Sequence, residues 1–344
     1  MGEKQFAIIG CQHNHIEIFI EQMYQLGYSC AGIFEEHDRT LAAVIAEKYE
    51  IPLVENKLSL LGEAIEIVGC ASMNHEKIDV IELCEQYGKS IMVDKPAVVN
   101  HDGLARLEAI IERNQIKVGM LLTERFHPAI YTLKQYIDQG KLGELVHIGM
   151  RKPHKLNASS RPAWFFNKEQ CGGILIDLLI HDYDLLRWFT GQEIKSSAGL
   201  VGKSVLPEHP TFYNTVNVQV ELDDGLLTQL YADWHTPSKS WTWGDGRIFV
   251  TGTKGFAELR LSGDPLLGSS TPIMLYASEE AEWSEVDLIQ PHATITADFL
   301  GFIQGEASLL THEELIKASR AVLDADAAVL YKLIPSSKES GPHV

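Results

Sequence analysis

The sequence predicts two domains. The first is an α/β domain with a doubly wound parallel sheet over residues 1–122. The second is an α+β domain over residues 123–344, built on a large, mostly antiparallel open sheet. Three observations carry this reading. Up to about residue 122, short apolar runs alternate with stretches of helical spacing. Beyond residue 215 the chain alternates apolar and polar residues through segments joined by tight-turn residues. And 344 residues exceed one average domain of about 150.

Taken in order, apolar strands are expected at 6–9, 30–34, 67–71, 90–93 and 116–122, with helices at 16–26, 41–49, 78–87 and 104–112 between them. Strands that alternate with helices of this length pair in parallel, with crossovers on both faces of the sheet, and such sheets take ligands at the strands' carboxyl ends. The pattern changes near residue 123. Ile130, Leu133 and Ile137 have helical spacing and stop at Gly140. The segment "CGGILIDLLIHDYDLLRWFTG" (171–191) is apolar almost all round, which marks a buried helix. Val216, Val218, Val220 and Leu222 alternate with polar neighbours, turn at Asp223-Asp224-Gly225 and return. A second hairpin is expected about Thr253-Lys254-Gly255, and a closing helix over 313–331.

Composition removes several classes of partner. With 29 basic and 47 acidic residues the net charge is −18, which repels nucleic acid and anionic lipid. No apolar run approaches the ~18 residues of a membrane span. The start "MGEKQFAIIG" lacks a leader pattern, and Phe6 stands where a myristoylation signal after Met1-Gly2 wants Ser or Thr. The five cysteines (Cys11, Cys30, Cys70, Cys84 and Cys171) form no C-x-x-C pair, so free thiols in a reducing cytoplasm are expected, with no zinc site.

Chemistry concentrates at strand ends. In "AIIGCQHNHI" the first strand passes through Gly10 into a helix, the position of a dinucleotide's pyrophosphate loop, yet Gln12 and His15 occupy the second and third glycine positions. Asn14 is expected to cap the helix. For His13-x-His15 no nearby acid or thiol completes a ligand set, so no metal is expected. Glu35, 25 residues after Gly10, is near the offset of an acid that binds a ribose diol, which favours NAD over NADP. Arg39 leaves NADP open. The run "SIMV" (90–93) delivers Asp94-Lys95-Pro96 at its tip, and its X-Pro bond is a candidate for cis. On the buried helix, Asp177, His181 and Asp184 fall at i, i+4 and i+7. A carboxylate one turn before an imidazole orients it as a proton shuttle, or else forms a satisfied buried pair.

Together these residues resemble the glucose–fructose oxidoreductase/inositol dehydrogenase (Gfo/Idh/MocA) family. "GKSIMVDKP" is similar to its G-K-x-V-x-x-E-K-P motif, with Asp94 for the usual Glu. "RFHPAIYTLKQYIDQGKLGELVHI" resembles its R-F-x-P helix and the strand entry that follows. "CGGILIDLLIHDYDLLRWFTG" resembles its glycine-led Asp–His helix, with Cys171 at the first glycine and, earlier, Lys77 where many relatives carry His. The resemblance implies a Rossmann-type NAD(P)-binding first domain and a second domain for substrate and oligomerisation. It implies a catalytic set of Lys95 on the reacting hydroxyl, His181 as general acid/base and Asp177 as its partner. Ser72, Asn74, Asp94 and Lys95 would lie along the cofactor with Gly10, Gln12, His13, Asn14 and Glu35.

The implied reaction moves hydride between the nicotinamide and a secondary hydroxyl of a sugar or cyclic polyol, which needs a base for the O–H proton and a cation for the developing alkoxide. Arg125, Lys152, His154, Trp164 and Trp234 are candidates for the substrate side. Two alternatives stay open. One is a non-catalytic nucleotide- and sugar-binding sensor on the same fold. The other is an enzyme that retains its NAD, such as a glycosidase-like relative. A homodimer or homotetramer through the second domain's sheet is expected.

Overall fold

A computed structural model describes residues 4–334; Met1-Gly2 lies outside them. In chain order the strands and helices are β1 (Gln5–Cys11), α1 (Ile16–Gln25), β2 (Ser29–Phe34), α2 (Thr40–Tyr49), β3 (Ile65–Ala71), α3 (Lys77–Gln86), β4 (Ser90–Val93), α4 (His101–Arg113) and β5 (Val118–Met120). Next come α5 (Pro128–Asp138), β6 (Leu145–Pro153), the single-turn α6 (Lys168–Cys171), α7 (Ile174–Thr190), β7 (Ile194–Lys203), β8 (Thr215–Leu222) and β9 (Leu227–Asp233). The last group is β10 (Arg247–Gly252), β11 (Gly255–Arg260), β12 (Ile273–Ser278), β13 (Ser284–Glu285), α8 (Ile295–Ile303), α9 (His312–Ala328) and β14 (Leu330–Leu333).

The chain divides into two compact units. The first holds the residues up to Phe126 together with Glu169–Gly172 and His292–Arg320, so it draws on two segments beyond the 122/123 boundary read from the sequence. Its sheet has the order β2-β1-β3-β4-β5 and every pair is parallel. The strands are buried on both faces, which is why they read as continuous apolar runs rather than alternating ones. Phe6, Ile8, Phe19, Ile33 and Ile45 form the core on one side, and α8 adds Ile295 and Phe299 to it. The Thr296 N–H donates to the Gln22 side-chain oxygen and ties the late segment to α1 at 3.1 Å.

The second unit holds His127–Lys168, Gly173–Pro291 and the described residues from Ala321 on. Its nine strands run β13-β12-β11-β10-β6-β9-β8-β7-β14. The pairs β6–β9 and β7–β14 are parallel and the rest antiparallel. Along β8 burial alternates residue by residue, with Val216, Val218, Val220 and Leu222 inward. The two expected hairpins are β8–β9, with Gly225 at φ 87°, and β10–β11. Helices α5 and α7 pack on the inward face.

Two expectations change. The closing helix ends at Ala328, and 330–333 pair with β7 as a strand. No proline or glycine marks that break, so a helical pattern continued through it. Asn14 does not cap α1: His15 holds that position and its side chain makes no capping bond.

Candidate active site

In the first unit the β1–α1 turn is built around Gly10. Its φ is 88°, and a Cβ there would stand 1.8 Å from the Ser72 hydroxyl. Only glycine satisfies both demands. The Cys11 N–H donates to Glu35 Oε2 at 2.6 Å, and the His37 N–H donates to Glu35 Oε1 at 2.8 Å. Glu35, at the end of β2, is thus a buried carboxylate that ties two turns together. Gln12 is buried as well, its amide donating to the Asp38 carbonyl at 3.0 Å. Asn14 is exposed and His13 half-buried.

Beside this turn lies a cleft of about 390 Å³, lined by Gly10, Glu35, His37, Lys57, Ser72 and Glu76 among others. A close-approach glycine, a carboxylate at the tip of β2 and a concavity between them fit the nucleoside half of a dinucleotide. Arg39 points away from a phosphate-binding role: its guanidinium holds both Glu55 oxygens, at 2.8 and 2.9 Å, and its Nε holds the Glu35 carbonyl.

The tip of β4 is the densest polar region. Lys95 is buried there, and the Lys95–Pro96 peptide is cis. Beneath it the fully buried Lys77 ammonium donates to Asn74 Oδ1 and to the Asp94 carbonyl, each at 2.8 Å, and to the Lys95 and Pro96 carbonyls at 3.3 Å. The Asn74 amide in turn donates to the Cys171 carbonyl at 2.9 Å. Asn74 is therefore tied to the Lys95 turn through Lys77, while Ser72 lies beside Gly10.

Asp94 faces the first loop. Its Oδ2 is 2.9 Å from His13 Nδ1 and its Oδ1 is 3.1 Å from His15 Nδ1. The acid absent from the sequence around His13-x-His15 is thus supplied by the fold. Burial alone would raise the Asp94 carboxyl, but His15, Lys77 and His13 outweigh it and hold it well below the usual carboxylate range. Burial, helped by His15, pushes the His13 imidazole down to about 4 against the pull of Asp94, so it is neutral at pH 7.

In the second unit α7 carries Asp177 and His181 one turn apart, with His181 buried and Asp177 half-buried. Its start is set by Gly173 at φ 84°. Lys152 of β6 forms a buried ion pair with Asp182 at 3.0 Å, so it braces the residue beside His181. Trp234 is buried against Phe165 (5.3 Å between ring centroids) and His154 (5.6 Å), and Trp164 lies buried beside Phe165. Arg125 is placed elsewhere: in the first unit it donates to the Leu309 carbonyl at 2.7 Å and pairs with Glu314. It serves the attachment of the 292–320 segment, which a local motif could not disclose.

Two residues were given no role of their own by the sequence. Lys77 stands on the apolar stripe that includes Ile81 and Cys84, and a charge in such a stripe is the signal. Arg161, between the serines and the aromatics of "SSRPAWFF", lies 4.3 Å from the Phe165 ring centroid, 5.1 Å from that of Trp234 and 5.6 Å from that of Trp243. Burial lowers its guanidinium pKa, and Asp177 opposes that shift.

Comparison with known proteins fits this geometry. Residues 4–121 match the family described as "Oxidoreductase family, NAD-binding Rossmann fold", and residues 130–258 match the GFO/IDH/MocA C-terminal domain. The chain is 31% identical over 182 residues to a scyllo-inositol 2-dehydrogenase (NAD(+)) of Bacillus subtilis (strain 168), covering 52% of this chain and 50% of that protein. It is 28% identical over 184 residues to an inositol 2-dehydrogenase of Rhizobium meliloti (strain 1021), covering 52% of each. The chain thus spans about half the length of the curated relatives it matches. A crystal structure from Erwinia carotovora atroseptica superposes with a TM-score of 0.85 at 24% identity, covering 96% of this chain and 99% of that one. An aldose-aldose oxidoreductase from Caulobacter crescentus gives 0.76 at 16% identity, covering 95% and 97%. At these identities the likeness is one of fold. With both domain families matched in order along the chain, this protein belongs to the GFO/IDH/MocA oxidoreductase family.

Proposed function

We propose that the protein is an NAD-dependent dehydrogenase acting on a secondary hydroxyl of a sugar or cyclic polyol. The observation that carries the reading is the buried Lys95 at the tip of β4, in a turn whose carbonyls are held from beneath by the Lys77 ammonium, in a family that binds NAD. NAD, when bound, supplies the hydride acceptor. The chain supplies the rest. Lys95 would polarise the hydroxyl and stabilise its alkoxide, and His181, oriented by Asp177, would hold and pass on the proton. Glu35, Gly10 and Ser72 would hold the nucleoside end, and the carboxylate of Glu35 would disfavour a 2′-phosphate. Arg161 and the aromatics around it would present ring faces and a cation to a polyol.

The relatives named for inositol support this substrate class, and the named aldose-aldose oxidoreductase shares the fold. Titration calorimetry with NAD, NADH, NADP and NADPH tests the cofactor. Nicotinamide absorbance over a panel of inositols and aldoses tests the substrate. Tighter NAD(H) binding is expected, with Lys95→Met and His181→Ala each lowering kcat by about 100-fold or more while nucleotide binding persists. Failure to bind any nucleotide would overturn the dehydrogenase reading, nucleotide binding without turnover of any inositol or aldose would move the sensor reading ahead, and NAD surviving dialysis would favour the retained-cofactor reading.

We further infer that the sheet face carrying His147, Arg151, Gln229 and Tyr231, opposite the buried Ile148, Met150 and Leu230, pairs with a second copy of the chain. A dimer or tetramer is expected by light scattering. A monomer at micromolar concentration overturns it.

A further inference from the structure

The β1–α1 loop that lacks two of its three glycines has gained two imidazoles, and both face one carboxylate. One ligand atom from each of His13, His15 and Asp94 lies within 4.8 Å of the others. The two Nδ1–Oδ separations are 2.9 and 3.1 Å. Neighbouring ligand atoms around a zinc-class ion at bond lengths of about 2.0–2.1 Å stand roughly 3.0–3.4 Å apart, so each imidazole is already near that spacing from one oxygen of the carboxylate.

A plain hydrogen-bonded cluster accounts for only half of this. His15 Nδ1 makes an aligned contact with Oδ1. His13 Nδ1 does not: it is buried, near Oδ2, and without a hydrogen bond. Lys77 Nζ stands 3.9 Å from Oδ2, but its charge is spread over three backbone carbonyls and Asn74. The imidazoles remain partly open to solvent, which gives an ion a way in.

We propose that His13, His15 and Asp94 form a three-ligand site for a divalent transition-metal ion of the zinc class, its remaining coordination position open to a water or another oxygen ligand. Two imidazoles and one carboxylate suit Zn²⁺ and Co²⁺ and do not suit Ca²⁺ or Mg²⁺, which take all-oxygen sets. The ion would clip the β1–α1 loop to the tip of β4. The site stands independently of the dehydrogenase reading and is tested without nucleotide.

The test titrates chelator-treated full-length protein with Co²⁺, following its visible d–d absorption, and measures bound Zn²⁺ by equilibrium dialysis. The expected result is one ion per chain, a rise in Tm on saturation, and at least about tenfold weaker binding in His13→Gln and in His15→Gln. His37→Gln, which removes the separate His37–Glu76 contact, should leave binding unchanged. His15 caps nothing with its side chain, so its variant carries the test if His13→Gln fails to fold. Absence of saturable binding, or binding weakened by His37→Gln and not by His15→Gln, overturns the proposal.

Discussion

At the residue scale, the chain's decisive positions are those where one atom more or less cannot be absorbed. Gly10 is one. Gly10→Ala forces both a positive φ on alanine and a collision with Ser72, a combined cost of at least about 2 kcal/mol. The added change Ser72→Gly is expected to relieve the contact with the side chain and leave both the positive φ and the 2.8 Å approach to the residue-72 nitrogen, so the double variant should melt between the single variant and the wild type. Lys77 is another. Lys77→Met strands three carbonyls beneath the Asp94-Lys95-Pro96 turn and should cost on the order of 3 kcal/mol in denaturant unfolding. Gly10, Glu35 and Lys95 were legible because each sits where a strand tip must present something. The company of Asp94 was not: His15 is 79 residues away in sequence, and no local pattern reports a contact of that span.

At the scale of elements, the parallel strands and their helices could be read because burial on both faces leaves continuous apolar runs. The central strand of the second sheet could not. Strand β6 mixes His147, Gly149 and Arg151 among its apolar residues, since only one of its faces is covered, and on the covered face Lys152 is buried in its pair with Asp182. Helix α9 begins with a residue that makes it a sensor of acidity. His312 Nε2 accepts the Val118 N–H at 3.0 Å and so joins α9 to β5. Burial, then Lys117, pushes this imidazole from 6.5 down to about 4. The folded state therefore takes up the proton later than the unfolded chain. The stabilisation is complete above pH 6.5 and is lost as pH falls towards 4, on the order of 2 kcal/mol after allowance for solvent screening. Thermal melts should fall across that window, and His312→Gln should flatten the fall. An unchanged slope would remove His312 from the account, leaving His13, which titrates in the same direction.

At the scale of the molecule, the charge of −18 and the cysteines are global facts that the sequence discloses without a fold. None of the five cysteines forms a disulfide among the described residues, and four of them are buried. Burial pushes Cys11 and Cys30 up to about 12 and raises Cys70 and Cys84 as well. Because the thiolate is the nucleophile, native protein at pH 8 should resist iodoacetamide, whereas denatured protein should take up five equivalents. Mass spectrometry checks this directly, and rapid labelling of Cys11 or Cys70 in the native state would contradict it. The membership of 292–320 in the first unit, by contrast, could be learned only from the fold. The Thr296–Gln22 bond spans 274 residues.

The carboxylate of Glu35 has an implication for descent. Its two oxygens already receive backbone donors from two different turns, one following β1 and one following β2. If Glu35 faces a ribose diol as proposed, a lineage drifting towards a phosphorylated ribose would ordinarily exchange this acid for a small or basic residue in one mutational step. Here that step would orphan both amides before any new ligand was gained. The path must therefore run through prior substitutions that give Cys11 and His37 other acceptors, and an engineer retracing it would do well to make those changes first.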